Sequence, residues 1–361
     1  MKKTKVTVIR PFCDSPHERM DALLGEFLKR PEVSAEVWQR AEQLRPVRGG
    51  RIFFALELED TGLNLEWCRM LARIRQDASF FRDSVGVVAV DGHSELYTKS
   101  VGRELVLTAN LAGCLFPGRP LVEGTGSLHN FQVTAQNLGT DLWGAYQANF
   151  RELADRLLTF EPPRHEKPRV LVLHASIWET SNTLRLWQMV KEELEDIMEF
   201  REISLRNGEI YDCVGCPYTM CLHFSERGKC YYGGVMVEQV YPAVEECDAL
   251  MMLCPNYNDA LSANLCAFIN RLTSLYRKRQ FFEKYLYAIV VSGYSGGDIL
   301  ANQLISGLNM NKTFILPPNF VMMETTNAPG SIVHVGGIRE RATAFAGAMR
   351  RQMLQKEETN S

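Results

Sequence analysis

The sequence predicts an α/β protein built as two tandem three-layer units, each a parallel sheet with helices on both faces. Three observations predict it. From Arg51 onward, apolar runs of strand length alternate with amphipathic segments of helical length. The same alternation starts again after residue 168. Between the two, residues 160–168 carry three prolines and several charges, the composition of a linker. A chain of 361 residues is long enough for two domains, each burying its own core. The expected division is a first unit over 1–160 and a second over 168–355.

In the first unit, residues 5–9 read as a strand, followed by polar amphipathic helices over 17–29 and 35–44 with no chemistry of their own. Cys13 stands apart from any ligand-like cluster and is expected as a free thiol. RIFFALELE, from Arg51, reads as a strand, 66–75 as a helix, SVGVVAVDG as a buried strand, 95–112 as a helix, and GRPLVEGTG as a strand ending in glycines. In the second unit, 169–173, 248–254 and 286–292 are strand candidates, and 182–200 and 260–276 helix candidates. NKTFILPP after Met310 is expected to be the last strand and MMETTNAPGS a loop. A final amphipathic helix over 338–354 ends in the charged tail KEETNS.

The halves align as an internal repeat when RIFFALELEDTGLNL is laid over RVLVLHASIWETSNT, which sets Asn64 against Asn182. The second copy reads as strand, turn, helix with a turn of small and hydroxyl side chains. Ser176, Thr180, Ser181, Asn182 and Thr183 offer neutral donors beside a helix N-terminus, the requirements of a phosphate site. Ser and Asn also suit an ordinary helix cap. The first copy has Glu57, Glu59 and Asp60 at the equivalent places, and these carboxylates would repel a phosphate. The anion is therefore expected only in the second half, the first being a scaffold, a dimerisation surface or a former site.

Bulk properties narrow the class further. A formal charge of -3 gives no basic footprint, which argues against a nucleic-acid partner. No apolar run reaches the roughly 18 residues of a membrane span. The expectation is a cytoplasmic protein with a small-molecule partner, in which ten cysteines serve as thiols or metal ligands rather than disulfides.

Three loops follow successive strands of the second half: 176–183, PNYNDALS from Pro255, and SGYSGGD from Ser292. In open α/β sheets ligands bind at these carboxyl ends. The first loop, with Trp178 above it, would take the phosphate of a planar ligand. Pro255, Asn256, Tyr257 and Asn258, with Ser292, Gly293, Tyr294, Gly296 and Gly297, would lie along its ring, the glycines allowing close backbone approach.

With these loops in view, residues 168–320 resemble the flavodoxin-like NADPH-dependent FMN reductases, including the iron-sulfur flavoproteins. ASIWETSNT corresponds to their phosphate loop, and CPNYNDALSANLCAFINR to the loop and helix beside the isoalloxazine. The resemblance implies a flavodoxin-like fold, noncovalent FMN, NAD(P)H as co-substrate, and an oxidoreductase passing electrons to a quinone, a flavin or another small acceptor. The flavin would carry the chemistry, with no catalytic side chain. Trp178 replaces the family's phosphate-loop arginine and Ala175 its glycine, so neutral donors and the helix N-terminus would hold the phosphate. The resemblance also implies a monomer whose first half plays a neighbouring subunit's part, or a homodimer. A non-catalytic flavin or redox sensor and a zinc-binding scaffold are the other functional classes considered.

Cys213, Cys216, Cys221 and Cys230 fall within eighteen residues, a density beyond what core packing requires. Such thiolates can hold a [4Fe-4S] cluster or a tetrahedral zinc, and Cys213 with Cys216 alone can form a redox pair. The spacing is wider than in the iron-sulfur flavoproteins. Cys247, Cys254 and Cys266 lie on apolar segments and are expected in the core.

Overall fold

The computed structural model describes residues 3–15 and 17–355. The chain divides into two compact units, Met1–Glu161 and Pro162–Ser361. The tail KEETNS lies outside the described residues.

In the first unit the order is β1 (Thr4–Ile9), α1 (Glu18–Leu28), β2 (Val33–Trp38), β3 (Arg51–Leu58), α2 (Leu65–Ile74), β4 (Ser84–Gly92), α3 (Thr98–Leu111), β5 (Cys114–Leu115), β6 (Leu121–Gly124), α4 (Gln132–Leu138) and α5 (Leu142–Thr159). All strand pairings are parallel. The sheet runs β2-β1-β3-β4-β5, with β6 also paired to β4. β3 and β4 are buried along nearly their whole length, as expected of central strands covered on both faces. On one face Phe53, Val87 and Ala89 pack with Leu23, Leu24 and Phe27 of α1 and Phe150, Leu153 and Leu157 of α5.

In the second unit the order is β7 (Arg169–His174), α6 (Asn182–Glu192), β8 (Glu199–Ser204), α7 (Tyr218–Ser225), α8 (Tyr241–Glu246), β9 (Ala249–Asn256), α9 (Ala263–Lys278), β10 (Tyr285–Ser292), α10 (Gly297–Leu304), β11 (Val321–Thr325) and α11 (Ile338–Met353). The strands form a parallel sheet in the order β11-β10-β9-β7-β8. Read from its edge, this is the 2-1-3-4-5 winding, whose direction reverses between β7 and β9 and opens a crevice at their carboxyl ends.

Several expectations are corrected. Residues 35–44 are not a helix; Val33–Trp38 is an edge strand, followed by a single short helical turn. The helix from Asn182 stops at Glu192, short of the expected residue 200, and 199–204, of which only the first two residues were expected in that helix, is strand β8. The last strand is Val321–Thr325, within the expected loop, while Ile315 of NKTFILPP makes only an isolated bridge to Tyr285.

The expected alignment of the two halves also changes. β1, not β3, holds the central position that β7 holds in the second sheet, and β3 corresponds to β9. The counterpart of the 175–181 loop is therefore the stretch after β1. Asn64 is the N-cap of α2, accepting from the amide of Trp67 at 2.8 Å, whereas Asn182 is already the first residue of α6.

Candidate functional site

β7, β9, β10 and β11 deliver four loops to one edge of the second sheet, and asparagine side chains fasten them together. Asn256 donates to Ser292 Oγ at 3.2 Å, the carbonyl of Ser295 at 2.9 Å and Asp259 Oδ1 at 3.1 Å. The PNYN and SGYSGG loops thus form one ledge. Asn327, just after β11, donates to the Tyr294 hydroxyl at 3.1 Å. Asn182 donates to the carbonyl of Ala328 at 2.9 Å and accepts from the amide of Ile332 at 3.1 Å, which fixes the loop after β11 against the start of α6. The three loops singled out in the sequence are therefore brought together, and 326–332 joins them.

The first loop divides its polar groups between structure and ligand. Ser181 Oγ accepts from the amide of Leu184 at 3.1 Å and caps α6, while its hydroxyl hydrogen stays available. Asn182 is occupied by the Ala328 and Ile332 bonds, so its side chain acts as a tether rather than a phosphate donor. Ser176 is nearly buried and its hydroxyl has no partner among the described residues. Thr183 is buried, Thr180 exposed, and Trp178 exposes about half its surface above the loop.

Arg185, which the sequence reading missed, places a guanidinium beside this loop. From the first turn of α6 its Nη2 donates to the carbonyl of Glu179 at 3.3 Å. The guanidinium also lies close enough to Gly330 that a Cβ there would sit 3.3 Å from Cζ. The helical geometry that carries a residue three positions past the first turn's start back over the N-terminus was the available signal.

In the second and third loops, Tyr257 and Tyr294 are exposed, Pro255 and Asn256 half-buried, and Ser292 buried. Asn258 and Asp259 are in the left-handed region at φ +55° and +57°, which turns the chain sharply around Asn256. Gly296 has φ +83°, and a Cβ there would meet Asp259 Oδ1 at 2.1 Å, so the close approach of the two loops requires glycine. Gly293 and Gly297 are half-buried beside Asn327 and Met323. A cavity of about 190 Å³ in this unit lies at the starts of β7 and β8, the opposite edge of the sheet.

His174 ends β7, its Nδ1 facing the amide of Ser176 at 3.4 Å. Burial pushes its pKa below the ordinary 6.5, against the opposing charge of Glu202. A histidine with a depressed folded pKa contributes stability that is complete above 6.5 and is lost as pH falls from there toward the folded value. The urea midpoint of the protein is expected to drop between pH 7.5 and 5.5, and His174→Gln to flatten that dependence. An unchanged pH slope in the variant would refute this role.

The cysteine segment is tied to α9 by Arg271, buried to 2% exposure, which donates to the carbonyls of Tyr211 at 3.3 Å and Gly233 at 2.8 Å. All ten cysteines are free thiols, with Cys213 exposed and Cys216, Cys221 and Cys230 partly exposed. Among the described residues no group of three or more His, Cys, Asp or Glu is arranged to hold a metal ion, so the segment as it stands does not fit a cluster or zinc. Cys247 and Cys254 are buried, as expected of core residues, while Cys266 is partly exposed. Cys13 is free, its thiol pushed up to about 12 by burial and the bond to Glu59. No helix among the described residues is long and apolar enough to cross a membrane.

The winding order, with four loops gathered at the carboxyl edge, defines a flavodoxin-like unit. Within that class, residues 168–328 match the family of NADPH-dependent FMN reductases, the family that the motifs of the second half resemble. Solved structures similar to this chain include an apo NADH:FMN oxidoreductase (16% identity over 54% of this chain and 94% of the other, TM-score 0.36). An NAD(P)H:quinone oxidoreductase from Methanothermobacter marburgensis is 16% identical over 50% of this chain and 98% of its own, with TM-score 0.38. RosB with a bound intermediate is 15% identical over 51% and 80%, with TM-score 0.38. No curated protein matches the sequence.

Proposed function

We propose that the second unit binds FMN at the ledge formed by its four loops and that the protein is an NAD(P)H-dependent flavin oxidoreductase. The observation that carries this reading is the family match over 168–328, which spans the phosphate loop and both ring loops. The geometry supports it: Ser176 offers a nearly buried hydroxyl without a partner, α6 offers its N-terminal amides, and Arg185 offers a guanidinium. Ser181, Thr180 and Thr183 complete the phosphate end, and Asn182 holds the loop. Pro255, Asn256, Tyr257 and Asn258, with Ser292, Gly293, Tyr294, Gly296 and Gly297, form the ring ledge, and the exposed Trp178 is positioned on the loop to cover bound flavin. The chemistry FMN supplies when bound is acceptance of hydride from a reduced nicotinamide and delivery of the electrons to a quinone, a flavin or another small acceptor. The chain's own part is to bind and orient that group and limit its access to water.

The test is the absorption spectrum of the purified protein. A visible flavin band that bleaches on adding NADPH or NADH supports the reductase. A flavin that neither nucleotide reduces, under conditions where dithionite does, would place the protein in the sensor class, and colourless, zinc-containing protein in the scaffold class. Elemental analysis of the same sample decides between iron, zinc and neither in the cysteine segment, and a solution mass decides between monomer and homodimer. Arg185→Ala is expected to raise the FMN dissociation constant by about 10- to 100-fold, since charge-assisted bonds contribute about 1.5–3 kcal/mol. Equal affinity in fluorescence titrations of variant and parent would remove Arg185 from the site.

A further inference from the structure

We propose that the first unit holds a second binding site, for a small, neutral, polyhydroxylated molecule of the polyol or monosaccharide class, in the cavity beside the His17–Asp91 pair. The site lies at the carboxyl ends of β1, β4 and β6, the same edge of its sheet that carries the flavin loops in the second unit. The place a phosphate would take is closed. Glu57 accepts from the amide of His17 at 2.8 Å and from Arg10 Nε and Nη2 at 2.8 and 3.0 Å. Glu59 accepts from the amide of Asp14 at 3.0 Å and from the Cys13 thiol at 3.1 Å. What stays open is the cavity next to this plug.

His17 lines that cavity, is buried to 3% exposure, and is held at Nδ1 by Asp91 Oδ1 at 2.5 Å. Arg19 Nη2 donates to the same Oδ1 at 2.8 Å. Asp91 receives both, so Nδ1 carries a proton, and in the neutral ring Nε2 is the acceptor. Nε2 is buried and makes no hydrogen bond among the described residues. An unmet buried acceptor carries a desolvation penalty that a ligand hydroxyl would relieve. The Asp91 Oδ2 atom is also buried, and the buried Tyr146 hydroxyl interacts with the Asp91 carboxylate.

The ring of His93 stacks on that of His17, with centroids 3.8 Å apart and planes 13° apart, and its own Nδ1 is 2.8 Å from Asp60 Oδ1. Two imidazoles are thus held face to face, each by a carboxylate at Nδ1.

The cavity, about 410 Å³, is lined by His17, Glu18, Arg19, His93 and Gly126, a volume within the range of small-ligand pockets. No aliphatic side chain lines it, which disfavours a hydrocarbon. Arg19 is already engaged by Asp91 and the carbonyls of Gly92, Thr125 and Gly126, and the carboxylate of Glu18 also lines the cavity, which disfavours an anion. Hydroxyl groups can give to the imidazole Nε2 atoms, while the C–H face of a polyol suits a flat ring. The proposal does not depend on the flavin reading of the other unit.

The test is a titration of full-length protein, labelled with ¹⁵N in its histidine rings, with glycerol and D-glucose as probes and acetate and phenol as controls. The expected result is an Nε2-acceptor tautomer at His17 and a saturable shift of the His17 and His93 rings with at least one polyol and neither control. His17→Gln is expected to weaken the polyol shift at His93 at least tenfold. If that variant fails to fold, His93→Ala at the exposed rim is expected to weaken the His17 shift several-fold without changing its tautomer. The proposal is overturned if neither polyol gives a saturable shift, if a control binds more tightly than both, or if the polyol shift survives the folded variant unchanged.

Discussion

Trp187→Ala is expected to cost the second unit about 3–5 kcal/mol, the range for emptying a fully packed indole site. Trp187 has no exposed surface and is among the largest fully buried side chains of the protein. It lies on the inner face of α6 with Leu184, Leu186 and Val190, its ring edge-on to Phe200 at 5.3 Å. Its Nε1 also donates to Glu202 Oε1 at 3.2 Å, so truncation removes a bond to edge strand β8 as well as volume. Because α6 starts at the proposed phosphate loop, flavin retention is expected to fall in the same variant. Urea unfolding followed by far-UV circular dichroism measures the first effect and the flavin-to-protein absorbance ratio the second. A stability loss under about 1 kcal/mol would mean that the α6 core relaxes around the cavity far more than packed interiors usually do.

Gly296→Val should act in the opposite manner, abolishing flavin retention with little change in melting temperature. A β-branched residue at φ +83° is strained by about 1–2 kcal/mol before any contact is counted. Its Cβ would also displace Asp259 Oδ1, 2.1 Å away, and crowd Asn256 Nδ2 at 3.1 Å. The loops it disrupts are largely exposed, so the core beneath should hold while the ledge parts. A purified variant retaining its full complement of flavin would show that the GYSGG turn is not in the site.

The fold was legible wherever a strand is buried on both faces. β3, β4, β9 and β10 carry apolar runs of strand length, which identifies them. β2, read largely as helix, and β8, not identified as a strand, share a cause. Each is the edge strand beside the first strand of its sheet, and each buries only one or two of its six side chains. EFREIS shows neither an apolar run nor the alternation of a half-buried strand, and VSAEVW, though it alternates over residues 33–37, leaves Ala35 and Val37 exposed. The misplaced repeat register followed from this: with β2 read as helix, the first α/β alternation visible in the sequence began at Arg51, one topological position too late.

The site was legible in its loops and not in its side-chain roles. The hydroxyl and glycine content of 176–183 and 292–298 marks turns that need special backbone geometry, which local sequence carries well. Whether Asn182 meets a ligand or a carbonyl 146 positions away is a tertiary fact that no spacing rule encodes. The same holds for Arg185, whose value depends on where the chain folds back at Gly330. The acidic stretch at Glu57–Asp60 was read as a repulsion when its carboxylates are in fact ligands of the chain's own amides.

Those carboxylates have a kinetic meaning as well. Glu57 and Glu59 are anions attached to the chain whose amides they satisfy, so they compete with any diffusing phosphate as intramolecular ligands, at an effective concentration of order millimolar or above. Inorganic phosphate or a nucleotide at ordinary cellular levels would meet a loop that is self-saturated, with Arg10 already neutralising the occupant. On the proposed flavin reading, the first unit is thereby insulated from phosphorylated metabolites, to which the second unit's loop stays open.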